Sequence, residues 1–174
     1  MVLHDPTKCS GTENVMKDKF KQAFMDVAER FAQLSSAKRA QVGCIIVKDN
    51  RIISIGYNGM PSGWDNECED YELPNWAQHI DEIDMLDRET YVKYKSKPEV
   101  LHAETNAIAK VARSAESCEG ADIFCTHLPC IDCAKLIYQS GISKVYYRIE
   151  YQARKGPGKD FMLKSGIELE QVHA

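Results

Sequence analysis

Leu101-His102-Ala103-Glu104 and Leu128-Pro129-Cys130-Ile131-Asp132-Cys133 decide how this chain folds and what chemistry it can carry. His102 and Glu104 stand at the start of a helical run, Ala103–Ala112. Cys130 and Cys133 stand one turn apart where a second helix opens, so both sulfurs face the same way. One imidazole and two thiolates supply the three protein donors that a catalytic zinc takes while its fourth position stays open for water. Zinc lowers the pKa of such a water from about 15.7 to about 7. Glu104 is two positions from His102 and can address the water rather than the metal, as general base and then as general acid. Other uses of the same residues remain open at this point. A closed structural zinc site would take a fourth ligand from Cys125 or His127, and an isolated C-x-x-C also serves as a redox pair. In either of those uses Glu104 has no task.

Length and composition set the frame. The 174 residues suggest one domain spanning 1–174, large enough to bury a core without covalent staples. No run of 18 apolar residues exists, and the first residues lack the basic and apolar regions of a secretion signal, so a reducing cytoplasm is expected. The seven cysteines are an odd count; Cys44 and Cys125 sit in strand patterns and are expected as buried thiols. Cys68 and His79 form a conceivable second metal pair, though free surface residues are the plainer expectation. A net charge of −4 argues against a nucleic-acid polymer as partner. Two local basic groups, Arg148-Arg154-Lys155-Lys159 and Lys38-Arg39, suit one or a few phosphates.

The hydrophobic pattern gives an order of elements. Residues 15–34 carry Phe20, Phe24, Val27, Ala28 and Phe31 at helical spacing. Val42–Val47 and Arg51–Tyr57 read as a hairpin about an Asp49-Asn50 turn. Residues 64–99 are a polar, acidic excursion with a helix expected over Glu82–Lys95. After the His-Ala-Glu helix come a strand at Ala121–Thr126, a helix at Ile131–Gln139 ended by Gly141, and a strand at Lys144–Tyr147. A basic Gly-containing loop, a short helix at Asp160–Lys164 and a last strand at Ile167–Val172 follow. The order α-β-β-α-β-α-β-α-β predicts an α/β fold, a mixed sheet covered on both faces.

Four segments together carry a family resemblance: Gln41-Val42-Gly43-Cys44-Ile45-Ile46-Val47, Gly56-Tyr57-Asn58-Gly59-Met60-Pro61-Ser62-Gly63, His102-Ala103-Glu104-Thr105-Asn106-Ala107-Ile108, and Pro129-Cys130-Ile131-Asp132-Cys133-Ala134-Lys135-Leu136-Ile137. The combination H-x-E and P-C-x-x-C is the signature of zinc deaminases that act on nucleobases. With the G-Y-N-G-x-P-x-G loop and the long insertion, the chain resembles the deoxycytidylate (dCMP) deaminase family of the cytidine deaminase superfamily from Phe20 to Val172. The resemblance implies a three-layer α-β-α fold with a five-stranded mixed sheet, a homohexamer, and hydrolysis of dCMP to dUMP and ammonia. It implies zinc on His102, Cys130 and Cys133, with Glu104 catalytic. It implies that Tyr151 stacks on the base, with Asn58 beside the sugar and Ser35 and Arg39 at the 5′-phosphate, where Lys155 or Lys159 could substitute. It further implies activation by dCTP with Mg2+ and inhibition by dTTP at a site built from Gly56, Tyr57, Asn58, Gly59 and Arg113. The segment Glu150–Arg154 departs from the family by lacking acidic and His residues after the tyrosine.

A second reading is a deaminase of flipped bases in tRNA or single-stranded DNA, which would need a continuous basic groove. A third is a nucleotide-sensing domain in which zinc only holds the fold.

Overall fold

The computed structural model describes residues 16–74, 92–151, 156 and 158–173. In chain order these form α1 (Asp18–Ala32), β1 (Gly43–Lys48), β2 (Arg51–Tyr57), β3 (Glu69–Glu72) and β4 (Lys93–Ser96). Then follow α2 (Ala103–Val111), β5 (Asp122–His127), α3 (Ile131–Gln139), β6 (Lys144–Ile149), α4 (Gly158–Lys164) and β7 (Glu168–Gln171).

The continuous apolar run in β1 reflects burial on both faces. Cys44 and Ile46 enter one core cluster; Ile45 and Val47 enter the other. Each large aliphatic side chain buried this way is worth roughly 1.5–3 kcal/mol. The five-stranded sheet runs β2-β1-β5-β6-β7. Strands β2, β1 and β5 pair antiparallel, and β5, β6 and β7 pair parallel. The hairpin turns through Asp49 (φ 51°) and Asn50 (φ 57°), the left-handed pair that short-side-chain polar residues tolerate and that matches strand twist. One face is covered by α1, whose Met25 and Ala28 pack with Ile45, Phe124 and Tyr146. On the other face α2, α3 and α4 bring Ala107, Ile108, Ala134, Ile137 and Met162 against Cys44, Ile46, Ile123 and Val145. This is the expected three-layer fold with a five-stranded mixed sheet.

Three expectations change in detail. The α1 aromatic stripe is not the centre of the buried face. Lys21, Met25, Ala28 and Ala32 are buried there, Phe24, Val27 and Phe31 flank them, and Phe20 is exposed beneath Lys19 Nζ. Small and flexible residues occupy the centre because the helix backbone runs against Gly43, where a Cβ would collide with Ala28 and Ala32. Lys93–Lys95, expected as helix, is strand. It pairs antiparallel with β3, setting Lys95 opposite Asp70 and Lys93 opposite Glu72, a cross-strand charge match that helical periodicity overlooks. The rest of that expected helix, 82–91, lies outside the described residues, as does His79. The predicted C-terminal basic cluster is taken apart. Arg148 is drawn to Glu29, Asp26 and the Val172 carbonyl, tying β6 to α1, and Lys159 pairs with Glu150 at 2.7 Å. Arg154 and Lys155 lie outside the described residues.

Beside the sheet edge, Glu170 bridges Lys21 (2.6 Å) and Lys144 (2.9 Å). Asp122, across from Lys144 in the parallel register, is pushed up to about 6 by burial, with Glu168 and Glu170 adding to the push and Lys144 opposing it. An unfolded Asp titrates near 3.9, so between about pH 4 and 6 the folded chain holds a proton that the unfolded chain has released. Stability from this group therefore falls as pH rises through that window. Asp122→Asn is expected to stabilise the protein by about 1 kcal/mol at pH 7.5, after discounting for partial exposure, and to do nothing at pH 4. Thermal melts of both proteins at the two pH values check this.

Candidate active site

Helix α2 is stitched to β2 by side chains that reach backbone carbonyls. Ser54 Oγ donates to Ala107 O (2.7 Å), Asn106 Nδ2 to Tyr57 O (2.8 Å) and Lys110 Nζ to Ile55 O (2.9 Å). The approach is close because Gly56 carries no side chain; a Cβ there would collide with the Ala103 carbonyl oxygen. Just ahead of the helix, Gly59 and Leu101 exchange two backbone hydrogen bonds (3.1 and 2.9 Å). His102 is thus held from both sides as the N-cap of α2, with extended φ −76° and ψ 152°. Cys130 occupies the same position on α3, with φ −71° and ψ 170°. Beneath it, α4 begins at Gly158, where a Cβ would strike the carbonyls of Pro129 and Cys130.

The two helix starts meet. His102 Nδ1 lies 3.3 Å from Cys133 Sγ and 3.7 Å from Cys130 Sγ. The three ligand atoms fall within 4.8 Å of one another, and among the described residues they are the only such group of three or more His, Cys, Asp or Glu. Cys125 Sγ faces Cys44 Sγ at 3.8 Å instead, and His127 Nδ1 contacts Thr126 Oγ1 at 3.0 Å. Neither adds a fourth ligand to the cluster, which therefore has the donor set and the open side of a catalytic metal site. Cys130 is held low, to about 4, by its hydrogen bond with Cys133 and by His102, against the opposing pull of burial; Cys133 is driven up by the same bond and by burial. A thiolate is favoured at Cys130, and a bound metal would take both sulfurs as thiolates. The positive ends of α2 and α3 favour that charge.

Glu104, in the first turn of α2, is buried, and burial holds its carboxyl above the ordinary range. It lines a cavity of about 560 Å³ with His102, Cys130, Leu128, His127, Asn58, Arg39 and Tyr151. That size suits a small organic ligand. Asn58 stands in the wall with its amide engaged by backbone, Oδ1 accepting from Val42 N–H (2.8 Å) and Nδ2 donating to Ala40 O (2.9 Å). Arg39 reaches across the mouth to donate to Ser96 Oγ at 3.0 Å. Ser35 does not line the cavity; its buried hydroxyl accepts from Ala37 N–H at 3.1 Å and closes a turn. Sequence reasoning left the excursion at 64–99 without a place. Its paired strands β3 and β4 form a wall of this cavity and bring Glu69, Lys95, Ser96 and Lys97 to it. The alternation Lys93-Tyr94-Lys95-Ser96-Lys97 was the available signal.

A second cavity, of about 670 Å³, is lined by Tyr57, Asn58, Gly59, Trp64, Lys110 and Arg113 among others. Asn58 borders both cavities. Gly56 is buried under α2 and lines neither. Cys68, expected at the surface, is instead buried and contacts Ser36 Oγ at 3.4 Å, because the start of the 64–99 excursion folds against the segment after α1.

Residues 18–149 match the model of the cytidine and deoxycytidylate deaminase zinc-binding region. The chain belongs to this family. The deaminase is 34% identical over 169 residues to deoxycytidylate deaminase of Enterobacteria phage T4, an alignment spanning 85% of this chain and 87% of that one. Deoxycytidylate deaminase of Homo sapiens is 41% identical over 125 residues, covering 71% of this chain and 61% of that one. Among solved structures, the dCMP deaminase of cyanophage S-TIM5 in complex with dCMP and dUMP superposes with a TM-score of 0.72 at 42% identity, covering 90% of this chain and 98% of that chain.

Gly56 and Gly158 set the approach of the two helices that carry the ligand cluster of the deaminase. Gly56→Ala and Gly158→Ala are each expected to cost about 1–3 kcal/mol through overpacking and to lower bound metal per chain. Melting temperature and elemental metal content, measured on the same preparations, check this.

Proposed function

We propose that this chain is a zinc-dependent dCMP deaminase, hydrolysing dCMP to dUMP and ammonia. The observation that carries the reading is the buried Glu104 carboxyl beside a three-ligand His-Cys-Cys cluster at the base of a nucleotide-sized cavity. The donor set of His102, Cys130 and Cys133 suits zinc, which when bound would supply a Lewis acid that makes water nucleophilic near neutral pH. Glu104 takes a proton from the attacking water. It returns that proton to the ring nitrogen next to the carbon under attack, then carries the remaining proton of the newly bound hydroxyl to the amino nitrogen, so that the C–N bond breaks with ammonia leaving and the oxygen becomes the ring carbonyl. A carboxyl raised by burial is suited to both transfers, since it accepts a proton more readily than an ordinary carboxylate and still gives it up as a carboxylic acid. Tyr151 offers an aromatic face to the pyrimidine, and Asn58 holds the Ala40–Val42 backbone beside the sugar. Arg39 with Lys95 and Lys97 makes a cationic rim suited to the 5′-phosphate. The β3–β4 wall and the net charge of −4 favour a free mononucleotide over a polymer.

The second cavity is the proposed regulatory site, where dCTP with Mg2+ activates and dTTP inhibits. Lys110 and Arg113 suit phosphates there, while Tyr57 and the Gly59 backbone suit a base or sugar. Exposed Leu34, Trp64 and Leu101 around it offer apolar surface for self-association, which the family resemblance implies is a homohexamer. Six described cysteines are free buried thiols, consistent with a reducing cytoplasm, and no described helix is long and apolar enough to cross a membrane.

Loss of ultraviolet absorbance with dCMP, alone and with dCTP–Mg2+ or dTTP, tests the reading. Turnover raised by the first effector and suppressed by the second is expected. Zinc-loaded, folded protein inert toward dCMP with dCTP present would refute it. Glu104→Gln is expected to retain zinc and lose turnover by about 10²-fold or more, measured by steady-state rate against metal content.

A further inference from the structure

The cavity wall contains an imidazole to which the chemistry above gives no task. His127 ends β5 and lines the cavity three positions before Cys130. Its ring stands edge-on to Tyr151, with centroids 6.0 Å apart and planes at 85°. Burial lowers its tendency to take up a proton. On its other side, Nδ1 lies 3.0 Å from Thr126 Oγ1. That hydroxyl is buried and already accepts the Gly43 N–H at 3.1 Å. A hydroxyl has one proton to donate, and the acceptor available to it among the described residues is His127 Nδ1. With Nδ1 accepting, the neutral ring carries its proton on Nε2.

We propose that His127 is a positioning residue for the bound nucleotide. Thr126 fixes the Nε2–H tautomer; the ring then sets the angle of Tyr151 against the base and presents Nε2–H to an acceptor oxygen of the nucleotide. This rests on the dCMP reading of the same site. His127→Phe would keep the edge-to-face packing but lose the donor and strand the Thr126 proton. His127→Ala would lose the packing as well. The two substitutions therefore separate the two tasks.

Nitrogen-15 NMR of the zinc-loaded full chain, labelled at histidine, reads the tautomer directly. The sequence has five histidines, and the signals lost in His127→Phe identify residue 127. An unprotonated Nδ1 and a protonated Nε2 near neutral pH are expected, kept in Thr126→Ser and lost in Thr126→Val. A protonated Nδ1 in the unsubstituted protein overturns the proposal, whatever the variants do. In steady-state kinetics, His127→Phe is expected to raise KM for dCMP about tenfold with kcat within about threefold, and His127→Ala to lower kcat further. An unchanged KM in His127→Phe also overturns it. The spectrum reads the imidazole whether or not dCMP turns over, so absent turnover sinks the dCMP reading and a protonated Nδ1 sinks this one.

Discussion

Two helix N-termini pointed at one spot are the constraint on which the rest of this structure depends. His102 and Cys130 are both N-caps with extended backbone, and Cys133 follows one turn into its helix. Three donor atoms within reach of a single ion exist only while α2 and α3 keep their approach to the sheet and to each other. Much of the polar chemistry around the sheet serves that approach. Ser54, Asn106 and Lys110 tie α2 to the edge strand, and Gly56 lets its backbone come close. Gly158 does the same for α4 beneath the second helix. These residues are what gives the cluster its shape.

The site is also graded electrostatically from floor to mouth. At the floor, burial disfavours charge on Glu104, while the hydrogen bond from Cys133, the His102 ring and the helix ends favour a thiolate at Cys130. At the mouth, Arg39, Lys95 and Lys97 gather around Glu69, whose carboxylate is already taken by the backbone N–H groups of Lys38 and Arg39. A ligand with an anionic end and a neutral ring would therefore orient ring-first, without needing a large contact area for its direction.

The zinc motif and the sheet were legible in the sequence because both are local. H-A-E and P-C-x-x-C each sit at one helix start, and the apolar runs of β1, β5 and β6 are strand-length and nearly uninterrupted. The hairpin turn was legible for the same reason, since Asp49-Asn50 suits left-handed backbone. What sequence reasoning missed depends on tertiary contact. Whether Ser35 or Lys95 faces the cavity depends on a chain excursion folding back over it, and no period in the sequence records that. The C-terminal cations looked like a patch because charge counts ignore partners. Arg148 and Lys159 are committed to Glu29 and Glu150. His127 was noticed only as a spare ligand, since its link to Thr126 and Tyr151 is a matter of side-chain direction.

The pair of backbone hydrogen bonds between Gly59 and Leu101 has a thermodynamic consequence. Leu101 is the peptide neighbour of His102, and Gly59 lies in the wall of the second cavity. A ligand that bound one arrangement of the Gly59 loop more tightly than another would also bias where the imidazole sits, and so would change metal affinity. Linkage makes the effect mutual: metal occupancy must alter the affinity of that second ligand by the same factor. For such a ligand the metal would be an effector of the adjoining cavity as well as a participant in its own, and the two occupancies would form a single coupled equilibrium.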